Sequence, residues 1–197
     1  MRLGIGVYER GKYVCKVKEL HTKEYKLWFA MLTRCYSKTY HANEASYADC
    51  EVSDNFKNFQ LFAEWCNQQI GFGLPDYQLD KDILVKGNKT YSEDTCLFVP
   101  REINNQFTLS SKARGEFPLG VYRDLTGRSL KPFKSVCKTY DRLNQRCLGR
   151  FNTPEEAFYA YKPAKGATIQ HYANKWKDQI DPRAYTALMN YQVEITD

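Results

Sequence analysis

The sequence lacks the features that mark membrane-spanning and exported proteins. No apolar run approaches the roughly 18 residues that a membrane-spanning helix requires. The first eight residues, Met-Arg-Leu-Gly-Ile-Gly-Val-Tyr, contain no apolar stretch of the length found in signal peptides. We therefore expect a protein of the cytoplasm that has no membrane partner.

Histidine is scarce, with three residues in the chain. It is the side chain that serves most readily as a general base or metal ligand near neutral pH. His21 and His41 stand outside the apolar face of the helix pattern between them, and His171 lies off the apolar face of a later helix pattern. We expect all three on the surface rather than in a catalytic or metal site.

Paired cysteine motifs are missing, although the chain contains seven cysteines, an odd number. None of them forms a Cys-x-x-Cys motif, and without an export signal we expect no disulfide bonds. Four of them stand beside aromatic or aliphatic residues at wide spacings. We expect these four as buried free thiols, with a structural zinc site as the alternative. They are Cys35, Cys50, Cys66 and Cys96.

The composition is that of a globular protein. Hydrophobic residues make up 43% of the 197 residues and aromatic residues 15%, which suffices for the cores of one or two small domains. Apolar spacing predicts a helix over 22–36, capped by Thr22 and with Phe29 on its apolar face, and a second helix over 55–69. Before them, residues 1–18 have the alternation of a hairpin.

Positive charge is concentrated in one segment of the chain. Residues 112–177 carry 14 basic and 5 acidic residues, whereas residues 1–111 carry 14 of each. Residues 178–197 carry 1 basic and 4 acidic residues, and the net charge of the whole chain is +6. A local excess of this kind is typical of modules that bind polyanions, and a basic soluble surface without a ligand is the alternative.

A stretch in the middle of the chain has the order strand, turn, strand, helix start. Asp80 and Asp82 flank Lys81 at the end of its first strand, and Asn104 and Asn105 stand where the helix returns beside that strand. Carboxylate and amide oxygens are ligands that Mg²⁺ accepts. We therefore expect Mg²⁺ or another divalent metal on Asp80 together with Asn104 or Asn105.

This stretch also contains strings typical of one nuclease family, which are Leu79-Asp-Lys-Asp, Asn88-Lys-Thr-Tyr-Ser-Glu-Asp-Thr-Cys, Leu97-Phe-Val-Pro and Arg101-Glu-Ile-Asn-Asn. It resembles the HNH, or ββα-metal, endonucleases of bacteriophages and mobile elements. The resemblance implies metal-dependent hydrolysis of DNA, with Asp80, Lys81 and Asp82 at the catalytic centre. The family pattern has a histidine base where this chain has Lys81. A lysine is a poor base unless it is buried, although it can still hold a phosphate as a point charge. The metal site is therefore expected in a degenerate form.

The second half of the chain is predicted to hold a small sheet and a helix. Residues 108–116 are small, polar and basic, as in a linker. Three strands are expected over 119–123, 132–138 and 145–151, followed by a helix that Thr153 caps. Pro154 and two acidic residues suit the first turn of that helix.

Alternation along the predicted strands assigns the two faces of this sheet. Phe133, Ser135 and Cys137 are expected to face the helix. Arg146 falls on the same side and is expected at a sheet edge. The residues expected on the outer face are Lys134, Val136, Lys138, Gln145 and Cys147.

The strings Gly120-Val-Tyr, Pro132-Phe-Lys-Ser-Val-Cys-Lys, Leu148-Gly-Arg-Phe and Thr153-Pro-Glu-Glu-Ala carry a second resemblance. They resemble the AP2 DNA-binding domain, whose three-stranded sheet enters the major groove with a helix packed behind it. The resemblance implies double-stranded DNA as the partner. Positions that hold Arg or Trp in plant members hold Tyr, Gln or Cys here, which predicts a different readout of the bases. The expected DNA contacts are Tyr122, Arg123, Arg128, Lys134, Lys138, Arg142, Gln145 and Arg146.

Taken together, the patterns predict an α+β protein with an HNH-like ββα domain over 1–107, a linker over 108–116 and an AP2-like domain over 117–197. The last domain is expected to include an amphipathic helix over 165–177 and an edge strand over 191–195. The function expected from both resemblances is that of a phage DNA-binding HNH endonuclease, a metal-dependent hydrolase. The alternative is a DNA-binding regulator or inhibitor of phage origin that does not cut DNA and acts on a host system, with a host protein as partner.

Overall fold

The protein is an α+β protein, as predicted, with helices and short strands mixed along the chain. Among the residues described, no helix has both the length and the apolar character needed to cross a membrane. The computed structural model describes residues 3–107, 116–125, 129–142 and 144–196.

The chain divides into two compact units, and each is described by itself. The division falls between Asn104 and Asn105, so the expected first domain, 1–107, is three residues longer than the corresponding stretch of the first unit. Most of the expected linker, 108–115, lies outside the described residues. The first unit comprises Met1–Asn104 with Asp178–Ala184, and the second comprises Asn105–Lys177 with Tyr185–Asp197.

The first unit combines helices with strands that pair two by two. The helices are α1 (Lys23–Tyr36), α2 (Lys38–Asn43), α3 (Asp54–Lys57), α4 (Phe59–Gln68) and α5 (Arg101–Asn104), and the strands are β1 (Lys16–Val17), β2 (Leu20–His21), β3 (Glu51–Val52), β4 (Tyr77–Asp80), β5 (Thr90–Tyr91) and β6 (Leu97–Pro100). β1 and β2 are antiparallel, β3 and β5 are parallel, and β4 and β6 are antiparallel.

Helix α1 begins and packs as its sequence predicts, with one exception. The Thr22 hydroxyl accepts a hydrogen bond from the Tyr25 backbone N–H (3.4 Å), which satisfies a donor that the first helical turn leaves open. Trp28 is fully buried and its ring N–H donates to the carbonyl of Phe56 (2.8 Å). Phe29, expected on the buried face, is 40% exposed and stacks on Tyr25 at the edge of that face.

The helix predicted over 55–69 is two helices, α3 and α4, and an N-terminal segment causes the break. The N–H of Val7 donates to the carbonyl of Lys57 (2.9 Å), and the N–H of Phe59 donates to the carbonyl of Val7 (3.0 Å). These bonds engage backbone groups that a continuous helix would pair internally. The side chain of Asn58 then caps the second helix.

The hairpin predicted over 1–18 is wrong in its extent. The structure has a shorter hairpin, β1–β2, whose two turn residues Lys18 and Glu19 have φ values of +46° and +64°. Positive φ at both central residues gives the turn a twist that matches antiparallel strands. Val7, expected in the first strand, pairs with Asn58 instead.

The four cysteines expected as packed thiols lie in the aromatic core of the first unit. They are 0–3% exposed, and all seven cysteines of the chain are free. Burial raises the pKa of the Cys35 and Cys96 thiols to about 12. Neutral buried thiols of this kind act as small apolar side chains, which confirms the packing interpretation.

The second unit contains an antiparallel three-stranded sheet and a long helix that packs against all three strands. Its elements are β7 (Val121–Arg123), β8 (Phe133–Cys137), β9 (Arg146–Phe151) and α6 (Pro154–Lys175), and the strand order is β7-β8-β9. A final helix, α7 (Pro182–Met189), has residues in both units.

Helix α6 is longer than predicted. The Thr153 hydroxyl accepts from the Glu156 N–H (3.2 Å), so the predicted cap is confirmed. The helix continues for 22 residues and includes most of the segment expected as a separate helix over 165–177. The strand expected over 191–195 is absent from that segment, all of which the structure describes.

The sheet turns one face toward α6. Ser135 and Cys137 are 0% and 2% exposed on that face, as alternation predicts. Gly120, just before β7, has a φ of +73°, and a Cβ atom there would lie 2.2 Å from the ring of Tyr161 on α6. Only glycine therefore allows this approach of the sheet to the helix.

Candidate nucleic-acid interface and metal site

One row of side chains crosses all three strands on the face of the sheet that α6 leaves open. Lys134 on β8 pairs with Tyr122 on β7 and with Arg150 on β9. Directly paired residues in a sheet point to the same side. Because the neighbouring Ser135 is fully buried, this row points away from the helix. We call Tyr122, Lys134 and Arg150 the outer row.

Arg150 belongs to the outer row because of a β-bulge. Gly149 pairs with Ser135, and Cys147 pairs with the following residue of β8, so Leu148 is an extra residue without a partner. Strict alternation from Cys147 would turn Arg150 toward the helix, and the extra residue reverses this. Sequence reasoning missed Arg150 for this reason. A glycine inside a predicted strand often marks a bulge, so Gly149 was the signal in the sequence that could have revealed it. Its φ in the structure is +145°.

An ion pair fixes the direction of the Arg150 side chain. Its guanidinium binds the carboxylate of Asp124, which is only 10% exposed, while the Arg150 side chain is 41% exposed. The Asp124 N–H donates to the carbonyl of Pro132 (2.7 Å), so the carboxylate is attached to a fixed backbone. Arg150 is therefore held in place, with part of its surface open to solvent.

Other predicted DNA contacts lie in the connection between β8 and β9. Lys138, Arg142 and Gln145 are all exposed there, beyond the last strand pair. They continue past the end of the sheet rather than crossing it. Arg128 lies outside the described residues.

Two predicted DNA contacts occupy strand positions that alternate with the outer row and so fall on the side of the sheet that faces α6. Arg123 pairs with Phe133, and Arg146 pairs with Cys137, which is buried toward α6. Both arginines stand at strand ends and are exposed. The structure therefore does not align them with Tyr122, although their side chains reach solvent.

In the first unit, strand, loop, strand and helix follow in the predicted order. β4 and β6 pair in register from Tyr77 with Pro100 to Asp80 with Leu97, and α5 starts at the next residue, Arg101. Asp80 thus occupies the last position of β4, where the loop to β5 begins.

Asp80 is buried, at 7% exposure, and one of its carboxylate oxygens is engaged by the loop. Oδ1 accepts from the backbone N–H groups of Asp82 and Ile83, both at 2.8 Å. Burial raises the pKa of Asp80, and these two hydrogen bonds oppose the rise. Among the described residues, no hydrogen bond reaches Oδ2. One oxygen therefore shapes the loop and the other is available to a cation.

Lys81 is also 7% exposed, and its ammonium group links two parts of the loop. Nζ donates to Asp82 Oδ1 and to the carbonyl of Asn88, both at 2.6 Å, and lies 5.8 Å from the centre of the Tyr91 ring. An amine that donates in this way presents hydrogens rather than a lone pair. In this arrangement the Lys81 side chain links Asp82 to the Asn88 carbonyl across the loop.

Asn88 completes the same loop, and sequence reasoning gave it no role. Its amide nitrogen donates to the carbonyls of Lys81 and Thr90, both at 2.7 Å, and its amide oxygen accepts from the Thr90 N–H (3.0 Å). The Gly87-Asn88 turn signal in the sequence marked the position but not these contacts.

Asn104 contacts strand β4, whereas Asn105 belongs to the second unit. The amide nitrogen of Asn104 donates to Gln78 Oε1 (2.6 Å). Gln78 and Asp80 are two residues apart on β4, so their side chains share one side of the strand. Asn105 is exposed in the turn after α5.

The donors in the described part of the chain do not form a closed metal cage. No group of three or more His, Cys, Asp or Glu side chains in the described ranges is arranged to hold a metal. The ββα loop offers Asp80 Oδ2, with the amides of Gln78 and Asn104 on the same side of β4. Mg²⁺ is often bound by one or two carboxylates while waters complete its shell.

Comparison of the chain with models of protein families, with curated proteins and with solved structures gave no match.

Proposed function

We propose that the protein binds duplex DNA through the outer row of its three-stranded sheet. The observation that carries the proposal is the register that aligns Tyr122, Lys134 and Arg150 on the open face. Three strands about 4.8 Å apart make a platform about 10 Å across. This width suits the major groove of B-DNA, which is roughly 12 Å wide.

The three side chains of the outer row have separate parts in this binding. Lys134 attracts a phosphate as a compact charge, and Arg150 presents a planar fork to a phosphate or to a guanine edge. Tyr122 adds an aromatic face and a hydroxyl. Lys138 and Arg142, beyond the end of the sheet, contact phosphates that orient the protein without specifying sequence.

A gel-shift experiment with a mixed-sequence duplex of about three helical turns tests this proposal. We expect the wild type to shift the duplex at low ionic strength and Lys134→Gln/Arg150→Gln to bind at least about tenfold more weakly, because two charge-assisted contacts are lost. The control Lys16→Gln/Lys26→Gln removes the same charge from the first unit and should bind as the wild type does. Equal binding by the outer-row variant and the wild type would contradict the proposal.

A second candidate function is metal-dependent cleavage of the bound DNA at the ββα loop. The available Oδ2 of buried Asp80 and the return of Asn104 to the same strand support it. Bound Mg²⁺ would supply charge stabilisation for phosphodiester hydrolysis, with Asp80 holding the ion. The engaged ammonium of Lys81 supports the other alternative, a phage protein that binds DNA without cutting it and regulates or inhibits a host system.

Incubation with supercoiled plasmid and Mg²⁺ or Mn²⁺ separates these alternatives. Cleavage by the wild type that falls at least about 100-fold in Asp80→Ala supports metal-dependent cutting. The exposed Asp49 provides the matched control, Asp49→Ala, which should cut as the wild type does. Nicking that Asp80→Ala leaves unchanged removes the metal proposal. Plasmid binding without nicking by the wild type supports the non-cleaving alternative.

A further inference from the structure

A further cation lies in the first unit, where Arg34 in the last turn of α1 packs among tyrosines. The guanidinium carbon of Arg34 lies 6.0 Å from the centre of the Tyr47 ring, within cation–π range. The Tyr40 and Tyr47 rings meet edge to face with centres 5.8 Å apart. Tyr91 on β5 is also a neighbour of Arg34. We call Arg34, Tyr40, Tyr47 and Tyr91 the Arg34 cluster.

Hydrogen bonds and strand pairing bring together the elements that carry the Arg34 cluster. The Tyr36 hydroxyl accepts from the N–H of Val52 on β3 (3.0 Å), and Val52 pairs with Tyr91 in the β3–β5 ladder. His41 on α2 hydrogen-bonds the carbonyl of Arg34 (2.7 Å) through Nε2. The end of α1, helix α2 and strand β5 therefore meet at one place, and the position of Arg34 is fixed by the fold.

The guanidinium of Arg34 packs over the ring of Tyr47 and has Tyr91 as a hydrogen-bonding neighbour. Burial lowers the pKa of Arg34, whereas its neighbours Tyr91 and Tyr47 raise it. The net effect is a raised pKa, so the guanidinium stays charged. Burial raises the pKa of Tyr47 and Tyr91, so both hydroxyls keep their protons near neutral pH. Lys81 adds a second positive charge near Tyr47, and the carboxylate of Asp82, to which Lys81 donates, partly neutralises that charge.

We propose that the Arg34 cluster binds a phosphate group. A guanidinium presents five N–H donors in a rigid fork that matches two phosphate oxygens. The protonated hydroxyl of Tyr47 supplies a further donor, and the surrounding rings limit hydration, which strengthens a charged contact. The site shares no residue with the outer row and does not depend on the proposal of DNA binding there. The phosphate comes either from a free or monoester phosphate or from the phosphodiester backbone of a nucleic acid.

Titration with inorganic phosphate at constant ionic strength and pH 7.5, followed by calorimetry or by ³¹P NMR, tests the site. We expect the wild type to bind phosphate saturably at one site and Arg34→Gln to bind at least about tenfold more weakly. Lys26→Gln, an exposed change on the same helix with the same loss of charge, should leave the affinity unchanged. Tyr47→Phe keeps the ring and removes the hydroxyl, and should weaken binding about threefold or more.

Absence of saturable binding by the wild type overturns the proposal, and so does equal affinity in Arg34→Gln. Circular dichroism checks the fold of Arg34→Gln, and if that variant is unfolded, equal affinity of Tyr47→Phe and the wild type overturns the proposal instead.

Lys134→Gln/Arg150→Gln should bind phosphate normally, so failure of the outer row and failure of this site are separable. Competition by a short single-stranded oligonucleotide in that double variant identifies a phosphodiester ligand. Phosphate binding without competition identifies a free or monoester phosphate.

Discussion

Lys134 lies directly opposite Arg150 across the β8–β9 pair, so two cations share one cross-strand position. Like charges that face each other in a sheet repel by a fraction of a kcal/mol up to about 1 kcal/mol. Asp124 offsets the charge of Arg150 in part. An arrangement that costs stability in the free protein becomes favourable when a polyanion lies across it, which ties this pair to the proposed DNA interface.

The Lys134–Arg150 relationship predicts opposite effects on folding and binding. Lys134→Gln should raise the free energy of unfolding by about 0.2–1 kcal/mol, because it removes the repulsion, and it should weaken DNA binding. Urea denaturation and fluorescence anisotropy with a labelled duplex measure the two effects. Lys138→Gln, which has no cross-strand cation opposite it, is the control and should not gain stability. A loss of stability in Lys134→Gln would contradict the repulsion.

The bulge at Leu148 predicts that replacing Gly149 and replacing Gly166 by alanine change the free energy of unfolding in opposite directions. Gly149→Ala should lower the free energy of unfolding by about 1–3 kcal/mol, because the residue has a φ of +145° and a Cβ would lie 3.1 Å from the Phe151 ring. Gly166→Ala should raise it by about 0.5–1 kcal/mol, because that glycine lies inside α6 with no atom near the new Cβ. Chemical denaturation measures both. Equal effects of the two changes would remove the bulge argument.

The buried Asp80 carboxylate predicts a pH-dependent stability difference. Its pKa is raised in the folded protein above the ordinary value of 3.8, mainly by burial. The contribution of Asp80 is therefore most favourable below that ordinary value and is lost as the pH rises through the folded-state pKa. Asp80→Asn keeps an oxygen to accept the two N–H bonds and does not ionise. Its stability relative to the wild type should increase between pH 4 and pH 8, measured by urea denaturation.

The same denaturation series checks the prediction for Asp80 with a matched change. Asp49→Asn, at an exposed position, should show a smaller dependence on pH. A difference between Asp80→Asn and the wild type that is the same at pH 4 and pH 8 would mean that Asp80 does not carry the expected penalty.

The two donor bonds of Lys81 predict that it stabilises the ββα loop. Lys81→Met keeps an aliphatic chain of similar length but leaves Asp82 and the Asn88 carbonyl without the ammonium. We expect a loss of about 1–3 kcal/mol in the free energy of unfolding. Lys26→Met, on the exposed side of α1, should change it by less than about 0.5 kcal/mol. Equal stability of the two variants would show that Lys81 does not hold the loop.

Local signals in the sequence predicted the elements whose structure depends on near neighbours. The caps at Thr22 and Thr153 act within three residues, and both were found as predicted. Alternation placed Ser135 and Cys137 toward the helix because β8 itself is regular and the extra residue of the bulge lies on β9. The buried cysteines followed from their apolar neighbours in the same way.

The features that were missed depend on distant parts of the chain. The break at Asn58 is caused by Val7, some fifty residues earlier, and a helix pattern carries no information about such a partner. Alternation failed at Arg150 because a bulge changes which face every following residue occupies. The contacts of Lys81 and Asn88 depend on how the loop closes on itself, which residue spacing alone does not determine.

The salt dependence of DNA binding tests the central claim most directly. The logarithm of the association constant falls linearly with the logarithm of the salt concentration, with a slope of about −0.9 for each neutralised phosphate of duplex DNA. Anisotropy titrations over a range of NaCl concentrations should give a steep slope for the wild type and a slope shallower by about 0.9 to 1.8 for Lys134→Gln/Arg150→Gln, depending on whether Arg150 contacts a phosphate or a base. Identical slopes for the two proteins would contradict DNA binding through the outer row.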